Sequence, residues 1–254
     1  MAKPLIIPLP DGDEMPIIFE NRSAIAIDKP PGWIVSANWQ AQQENNIQLF
    51  FESAIYHREF WAKSRNLKFL RFIHRLDSIT SGVLLLSKSQ GAIAPLSKLF
   101  EAGKVEKEYL AIVDGAPKRQ SWNVEVMMDK DPDDPPKWKV VSKGGKVSYT
   151  EFKVLAQNEN RSLIQAIPHT GRTHQIRVHL AHSGIPITGD PLYSKLKKKN
   201  KLRGKSKAKG SPYFFGLRAT RLSYVDPFQK KKVIIKAGKE VFLNSFGFLN
   251  HKEM

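Results

Sequence analysis

Short runs of apolar residues, several of them alternating with polar ones, recur along the chain and predict a fold built mainly from strands. These runs lie at positions 17–19, 24–27, 107–113, 147–155, 162–167 and 217–225. Apolar residues at helical spacing predict helices over 47–61 and 93–100. We therefore predict an α+β fold, in which a mostly antiparallel mixed sheet is flanked by helices.

The second half of the chain contains a predicted hairpin. Segments 137–141 and 147–155 flank Gly144 and Gly145, and paired glycines are typical of a tight turn between strands. The acidic, proline-rich run at 129–136 cannot form regular structure and separates this hairpin from the first half. Segment 162–167 is its expected next partner.

The stretch FLRFIHRLDSITSGVLLLSK, residues 69–88, places a polar cluster between two apolar runs. The second run, 83–86, has the composition of a strand buried on both faces. A carboxylate beside such a strand needs a cation or several hydrogen-bond donors to remain ionised. Asp77 therefore either caps a turn, with Thr80 and Gly82 as ordinary turn residues, or takes part in chemistry.

A second concentration of polar residues, IPHTGRTHQIRVHLAHSGIPITGDPLY, covers positions 167–193. Ile176, Val178 or His179, and Leu180 predict a core-facing helix, entered through a Thr-Gly-Arg-Thr turn with Thr173 as its N-cap. The start of a helix presents free N–H groups, and Arg172 and Arg177 lie close to it. This combination suits a phosphate group.

With 254 residues the chain is long enough for one generous domain, and we predict a single domain over 1–254. No apolar run approaches the roughly 20 residues of a membrane span. The start, MAKPLIIPLPDGDEMP, lacks a signal-peptide core. We therefore expect a cytoplasmic protein that does not bind a membrane. The absence of cysteine excludes disulfides, thiolate zinc sites and cysteine nucleophiles.

The formal net charge of +17 favours a polyanionic partner. Nine of these positive charges, with no acid among them, lie at 195–209, which leaves +8 for the rest of the chain. We interpret 195–210 as a flexible insertion whose Lys197, Lys198 and Lys199 bind RNA phosphates. A solvated loop, a membrane-surface contact or a localisation signal has the same composition, but the accompanying aromatic and arginine residues favour nucleic acid.

Four histidines in the second polar segment raise the question of a metal site. His179 and His182 share a helical face, but the segment has no HExxH pattern and no nearby carboxylate apart from Asp190. We therefore expect no metal and interpret these histidines as hydrogen-bonded structural residues.

The motif HRLDxxTSG followed by an apolar run resembles the signature of the RluA family of pseudouridine synthases. Three further segments resemble family motifs in the family's order: IAIDKPPGWIV, KEYLAIVDG and TGRTHQIRVHL with the GIPITGD that follows it. The resemblance covers nearly the whole chain, without the N-terminal S4-type module of many members. Arg218 and Asp226 stand where many members carry histidines, and these departures concern substrate details.

The resemblance also implies the roles of individual residues. Asp77 matches the catalytic aspartate, Tyr109 a tyrosine of the catalytic pocket, and Arg177 the arginine that pairs with the aspartate. Lys29 and Pro30 match a pair that opens a loop beside the active site. Residues that resemble the RNA-facing positions are His74, Arg75, Arg172, Thr173, His174 and Gln175.

The family resemblance implies an RNA pseudouridine synthase that flips a uridine of ribosomal or transfer RNA into a central cleft and uses no cofactor. We expect RNA as the partner, a monomer, and no obligate protein partner. Three alternatives stay open. A catalytically inactive RNA-binding protein of the same fold would not need Asp77, Tyr109 and Arg177 together. A hydrolase would need a second carboxylate near Asp77, and a metal-dependent nuclease would lose activity with a chelator.

Overall fold

A computed structural model of the protein describes residues 3–36, 45–194 and 214–248. The strands found in these residues are β1 (Ile6–Pro8), β2 (Glu14–Glu20), β3 (Ala24–Lys29), β4 (Arg71–Phe72), β5 (Ser81–Ser87), β6 (Glu106–Asp114), β7 (Ser121–Lys130), β8 (Trp138–Val141), β9 (Lys146–Gln157), β10 (Arg161–Pro168), β11 (Leu217–Val225) and β12 (Lys232–Lys236). The helices are α1 (Ile47–Tyr56), α2 (Phe60–Lys63), α3 (Gln90–Glu101), α4 (Gln175–His182) and α5 (Glu240–Ser245).

The chain divides into two compact units. Unit 1 comprises Met1–Glu106 and Ala219–Ala237, and unit 2 comprises Lys107–Arg218 and Gly238–Met254. Each unit is therefore built from two separate stretches of sequence. The single domain over 1–254 stays a prediction.

In the sheet of unit 1, β5 lies between β3 and β11, and the pairings from β1 to β5 are antiparallel. β1 pairs with β2, β2 with β3, and β3 with β5 in a register that places Ala26 opposite Leu85. β4 pairs with the end of β5, and β12 pairs with β11. Every residue of β5 is buried, which confirms the prediction of a strand covered on both faces.

Helix α3 covers the sheet of unit 1. Its Ala92 and Leu96 pack with alanines of β3 and with Val83 and Leu85 of β5. The helix stops before Gly103, which has a φ of 66°. This left-handed conformation is the usual C-terminal stop of a helix, as the sequence predicts.

The sheet of unit 2 is also antiparallel. β10 pairs with β6 and β9, and β7 pairs with β9 and β8. Alternate residues along β9 are buried, in agreement with its period of two. Helix α5 packs Phe242 and Leu243 against Leu110 and Ile112 of β6.

The helix predicted over 47–61 is instead two helices. α1 ends at Tyr56, and Arg58 has a φ of 55°, a left-handed conformation through which an α-helix cannot continue. α2 then begins at Phe60. The core positions are nevertheless as predicted, because Phe51 and Trp61 are both buried.

The predicted hairpin between 137–141 and 147–155 is wrong. β8 pairs with β7, where Val141 lies opposite Met127, and β9 pairs with the other edge of the same strand, where Val147 lies opposite Met127. β7 therefore lies between the two segments. Sequence periodicity did not indicate β7, because most of its residues are exposed or only half-buried and give little alternation.

The predicted fold class is confirmed, since the described residues form an α+β structure in which helices accompany the sheets and the strand pairings within β1–β5 and within β6–β10 are antiparallel. The lysine-rich segment 195–210 lies outside the described residues, so its predicted flexibility is not tested. Within the described residues, none of the helices is long and apolar enough to span a membrane.

Gly82 is the position in unit 1 that leaves least room for a side chain. It has a φ of 111°, and a Cβ there would lie 2.0 Å from the carbonyl oxygen of Ala219 on β11. We predict that Gly82→Ala lowers the free energy of unfolding by at least about 3 kcal/mol or prevents folding, because the substitution adds backbone strain to a backbone clash.

The matched control is Gly91→Ala in α3, where a Cβ meets nothing within 4 Å. Alanine favours a helix over glycine by up to about 1 kcal/mol, so this variant should be at least as stable as the wild type. Urea denaturation measures both variants. Equal midpoints for the two would contradict the predicted clash at Gly82.

Candidate active site

Lys29 ends β3 in unit 1, and its side chain is fully buried. Its Nζ donates hydrogen bonds to three backbone carbonyls, those of Pro30 at 2.9 Å, Trp33 at 3.0 Å and Ser78 at 2.9 Å. Three acceptors match the three donors of an ammonium group. Lys29 therefore joins the loop after β3 to the loop that carries Asp77.

Lys29 also affects the charge around Asp77. Burial lowers the pKa of Lys29 to about 7, and the carboxylates of Asp77 and Asp28 partly oppose this shift because they favour the protonated amine. The ammonium group in turn attracts the Asp77 carboxylate. The family resemblance implies Arg177 as the cation of Asp77 and matches Lys29 only to a loop-opening motif, so the sequence did not indicate this interaction.

Asp77 lies half-buried in the loop between β4 and β5. Its carbonyl oxygen accepts a hydrogen bond from the N–H group of Thr80 at 3.0 Å, so the predicted turn is present. The carbonyl of Ser78 accepts the N–H group of Gly32 at 2.8 Å as well as Nζ of Lys29. Backbone hydrogen bonds therefore fix the position from which the Asp77 side chain projects.

The two predicted RNA-facing residues before this loop have different surroundings. His74 Nε2 accepts a hydrogen bond from the N–H group of Leu85 at 3.0 Å, and its ring stacks on Phe100 with 4.8 Å between centroids. Arg75 is exposed. His74 is thus fixed by contacts within unit 1. A contact of either residue with RNA stays a prediction.

In unit 2, strand β6 positions Tyr109, which is half-buried and lies opposite Ala166 of β10. Lys107 precedes it by two residues and therefore points to the same face of the strand. Its Nζ donates to the carbonyl of Thr170 at 2.9 Å, and burial lowers the pKa of Lys107 to about 8. Lys107, which sequence analysis did not single out, ties the strand of Tyr109 to the turn before α4.

Gln175 organises that turn. Its Oε1 accepts hydrogen bonds from the hydroxyl of Thr170 at 2.7 Å and the N–H group of Arg172 at 2.9 Å. Its Nε2 donates to the carbonyl of Tyr149 at 3.0 Å and the hydroxyl of Thr150 at 2.9 Å. Both acceptor sites and both donors of the amide are thus used inside unit 2. Gln175 is buried, and its hydrogen bonds connect the turn to β9.

The prediction of Thr173 as the N-cap of α4 is wrong. The helix begins at Gln175, and His174 occupies the cap position with a left-handed φ of 57°. His174 Nδ1 lies 2.8 Å from the hydroxyl of Tyr193, while Thr173 is exposed. Arg172 is half-buried, and its Nε donates to the carbonyl of Val147 at 3.0 Å. The helix start is therefore held by contacts that the local sequence does not show.

Arg177 forms a bidentate ion pair with Asp190 inside unit 2. Nε and Nη2 donate to the two carboxylate oxygens, each at 2.9 Å, and both side chains are buried. Asp190 also accepts the N–H groups of Leu192 and Tyr193 at 2.8 and 3.1 Å. Sequence analysis missed this pair. The predicted pairing of Arg177 with Asp77 involves a residue of the other unit and stays a prediction.

His179 is buried in α4 as a hydrogen-bonded structural residue. Its Nε2 lies 2.8 Å from the hydroxyl oxygen of Ser148, whose own hydrogen is donated to the carbonyl of Val126 at 2.8 Å. Nε2 is therefore the donor in this contact. Burial lowers the pKa of His179 to about 4, with a further contribution from His182. Among the described residues, no group of three or more acidic or histidine side chains could hold a metal ion.

A family model described as RNA pseudouridylate synthase matches residues 23–182, which include Lys29, Asp77, Tyr109 and Arg177. The chain belongs to the RNA pseudouridylate synthase family. It is accordingly an RNA pseudouridine synthase, which isomerises uridine in RNA, and the family predicted from its motifs is confirmed.

Curated relatives of this pseudouridine synthase match much of its length. Ribosomal large subunit pseudouridine synthase C of Buchnera aphidicola subsp. Schizaphis graminum is 32% identical over 237 residues, which cover 91% of this chain and 69% of that protein. An uncharacterized RNA pseudouridine synthase of Zymomonas mobilis is 34% identical over 186 residues, which cover 72% of this chain and 80% of that protein.

Solved structures show that the fold is that of pseudouridine synthases. Human RNA Pseudouridylate Synthase Domain Containing 1 matches with a TM-score of 0.69 at 21% sequence identity, over 91% of this chain and 86% of that chain. The predicted fold is thus confirmed. Lys197, Lys198 and Lys199 lie outside the described residues, so their binding of RNA stays a prediction.

The buried ion pair of unit 2 gives a stability prediction. Arg177→Met leaves the Asp190 carboxylate buried without its guanidinium, which should lower the free energy of unfolding by about 3–5 kcal/mol. Adding Asp190→Asn to this variant should recover part of the loss, because no buried charge then lacks a partner. Denaturant unfolding tests both, with Arg119→Met at an exposed arginine of the same unit as control. A loss below about 1 kcal/mol in Arg177→Met would refute the role of the pair.

The lowered pKa of His179 predicts how stability depends on pH. Between its ordinary value of 6.5 and about 4, the unfolded chain binds a proton that the folded chain excludes. The free energy of unfolding should therefore fall as the pH is lowered from 6.5 toward 4. His179→Gln should show a weaker decline, whereas His57→Gln, at an exposed position, should follow the wild type. Parallel curves for all three proteins would contradict the prediction.

Proposed function

We propose that Asp77 performs the chemistry of this pseudouridine synthase. Isomerising uridine breaks the bond between base and ribose, turns the base, and joins its C5 to the same ribose carbon. A carboxylate beside the ribose serves this reaction by attacking the sugar or by taking a proton from it. Neither route changes the redox state, so we propose that no cofactor takes part. The observation that supports Asp77 is its place in a loop fixed beside the buried ammonium of Lys29.

Lys29 acts as a positioning residue in this proposal. Because Nζ binds the carbonyl of Ser78, the residue after Asp77, it restrains the backbone of the catalytic loop directly. Its positive charge also gives the loop a potential that suits a carboxylate. A single buried side chain thus contributes both to the geometry and to the electrostatics of Asp77.

Tyr109 and Arg177 take the roles that the matching family positions have. A base inside a helix is out of reach, so the uridine must flip out at a cost of about a few kcal/mol. Stacking on Tyr109 returns about 1–3 kcal/mol of that energy. Arg177 is oriented by its two hydrogen bonds to Asp190, so its guanidinium has a fixed direction before substrate binds.

The residues that approach RNA are proposed from their exposure as well as from the family resemblance. Arg75 and Thr173 are exposed, and Arg172 and His174 are half-buried at the start of α4. These four are the direct contacts in our proposal. The side chains of His74 and Gln175 form hydrogen bonds within their own units, and we propose that these two residues position the direct contacts.

The substrate that we propose is RNA of the large ribosomal subunit. Several relatives are named as ribosomal large subunit pseudouridine synthases C or D, and the Buchnera relative aligns with 91% of this chain. The net charge of +17 suits a large, structured RNA. Transfer RNA is the second candidate. We propose that the protein acts as a cytoplasmic monomer, with Lys197, Lys198 and Lys199 adding phosphate contacts.

The test is to replace Asp77 and follow the hydrogen at C5 of uridine. Joining C5 to the ribose releases this hydrogen, so ribosomal RNA labelled with tritium at C5 loses tritium to water with each turnover. We predict that Asp77→Asn folds and binds RNA with an affinity within about twofold of wild type but releases no tritium, since an amide cannot replace the carboxylate in either route.

Asp28→Asn is the matched control for this experiment. Asp28 is a second carboxylate whose charge acts on Lys29, but it lies in β3 and has no assigned chemical role. This variant should keep most of the tritium release. Near wild-type turnover by Asp77→Asn would exclude Asp77 as the catalytic residue, and equal losses in both variants would indicate a general electrostatic effect.

A further inference from the structure

A groove with a volume of about 260 Å³ lies in unit 1 between the C-terminal end of α1 and the segment that leads into β4. Its walls include two aromatic residues, Tyr56 and Phe69, and two cationic residues, Lys68 and Arg71. None of them belongs to the machinery assigned above. The groove therefore offers aromatic faces and positive charges at the same place.

The aromatic side chains of this region are exposed to an unusual degree. Tyr56 is 82% exposed, and Phe60, at the start of α2, is 56% exposed. Between them Arg58 adopts a left-handed backbone conformation, which interrupts the helix at this point. Tyr56 lines the groove together with the half-buried Phe69, whereas Phe60 lies outside the groove lining. Large aromatic side chains normally gain free energy from burial, so the exposure of Tyr56 at the groove indicates a binding surface.

The charges around the groove favour an anionic partner. Lys68 and Arg71 line the groove; Lys68 is exposed, and the side chain of Arg71 is 39% exposed. Arg58 and Lys63 are exposed residues nearby in the sequence, and the acids of residues 52–71 are Glu52, which also lines the groove, and Glu59. Arg71 lies 3.8 Å from Glu52 in a solvated ion pair, which contributes little, so a phosphate could replace the carboxylate as its partner.

Aromatic faces flanked by cations are the chemistry that binds unpaired nucleotides, because every base has a face that stacks and every linkage carries a phosphate. The substrate of this enzyme has both groups. Arg71 also precedes Asp77 by six residues, so the two lie within about 20 Å of each other even if that segment were fully extended. An RNA whose uridine is at Asp77 can therefore reach the groove.

We propose that this groove binds an unpaired base of the substrate RNA, at a nucleotide other than the uridine that is isomerised. Tyr56 and Phe69 provide the stacking surface, and Lys68 and Arg71 bind the neighbouring phosphates. The site adds affinity and selects RNA with a loop or bulge near the target, and it does not take part in chemistry. This proposal rests on the proposed function of Asp77 in one respect, namely that the distance from Arg71 to Asp77 is the distance from the groove to the reacting uridine.

The first experiment measures binding of a fluorescein-labelled, 12-nucleotide oligouridylate by anisotropy. Tyr56→Ala should bind this probe between about 5- and 100-fold more weakly than wild type, because the stacking surface is lost. Tyr56→Phe keeps the ring and should bind within about twofold. Phe228→Ala, at an aromatic residue that is 52% exposed elsewhere in unit 1, is the control and should bind like wild type. Equal affinity of Tyr56→Ala and wild type, or no binding by wild type, would overturn the proposal.

The second experiment measures tritium release from C5-labelled ribosomal RNA. Tyr56→Ala should raise KM by a similar factor and leave kcat within about twofold of wild type, since it removes binding that is equal in the ground and transition states. A large fall in kcat would overturn the separation of the groove from chemistry. If wild type releases no tritium, the proposed function fails, whereas the oligouridylate comparison still decides whether the groove binds bases.

The third experiment tests the phosphate contacts through salt. Lys68→Gln and Arg71→Gln should each reduce the slope of log Kd against log salt concentration by about 0.7, the value for one contact with a single strand. Lys118→Gln removes an exposed lysine from unit 2 and should leave the slope unchanged. Unchanged slopes in the two groove variants would overturn the assignment of Lys68 and Arg71.

Discussion

A buried ammonium group must find acceptors for its protons, and in unit 1 this requirement determines where Asp77 lies. Lys29 meets it with the carbonyls of Pro30, Trp33 and Ser78, which belong to two loops far apart in sequence. The loop after β3 and the loop before β5 are thereby fixed to one point. β5, buried along its whole length, anchors the second loop to the sheet. The proposed active site depends on this small set of hydrogen bonds.

Unit 2 also contains buried polar side chains that need hydrogen-bond partners. Gln175, Arg177 and His179 lie in α4, and each forms side-chain hydrogen bonds with partners outside the helix. These contacts link the helix to β9 and to the loop around Asp190. The motif that suggested an RNA-binding wall is thus partly a framework, in which buried members hold the exposed ones. Such a framework is preorganised, which would lower the cost of ordering in the proposed contacts with RNA.

The sequence predicted features that depend on neighbouring residues. The apolar runs located β5 and β11, alternation located β9, and the turn residues Thr80 and Gly82 located the turn at Asp77. The sequence did not predict features that depend on residues far apart in the chain. The pairing of β8 with β7, the partner of Arg177 and the cation beside Asp77 all join segments that no local pattern connects. Arg58 is a local exception, because nothing in its neighbours indicated a left-handed backbone.

The substrate proposed for this protein is ribosomal RNA, in which it would convert particular uridines to pseudouridine. The most direct measurement maps pseudouridines in large-subunit RNA from cells with and without the gene, and from the deleted cells supplied with it again. We expect one or a few positions of this RNA to lose the modification on deletion and to regain it on complementation. Identical maps of large-subunit RNA in all three kinds of cell would refute the proposed substrate.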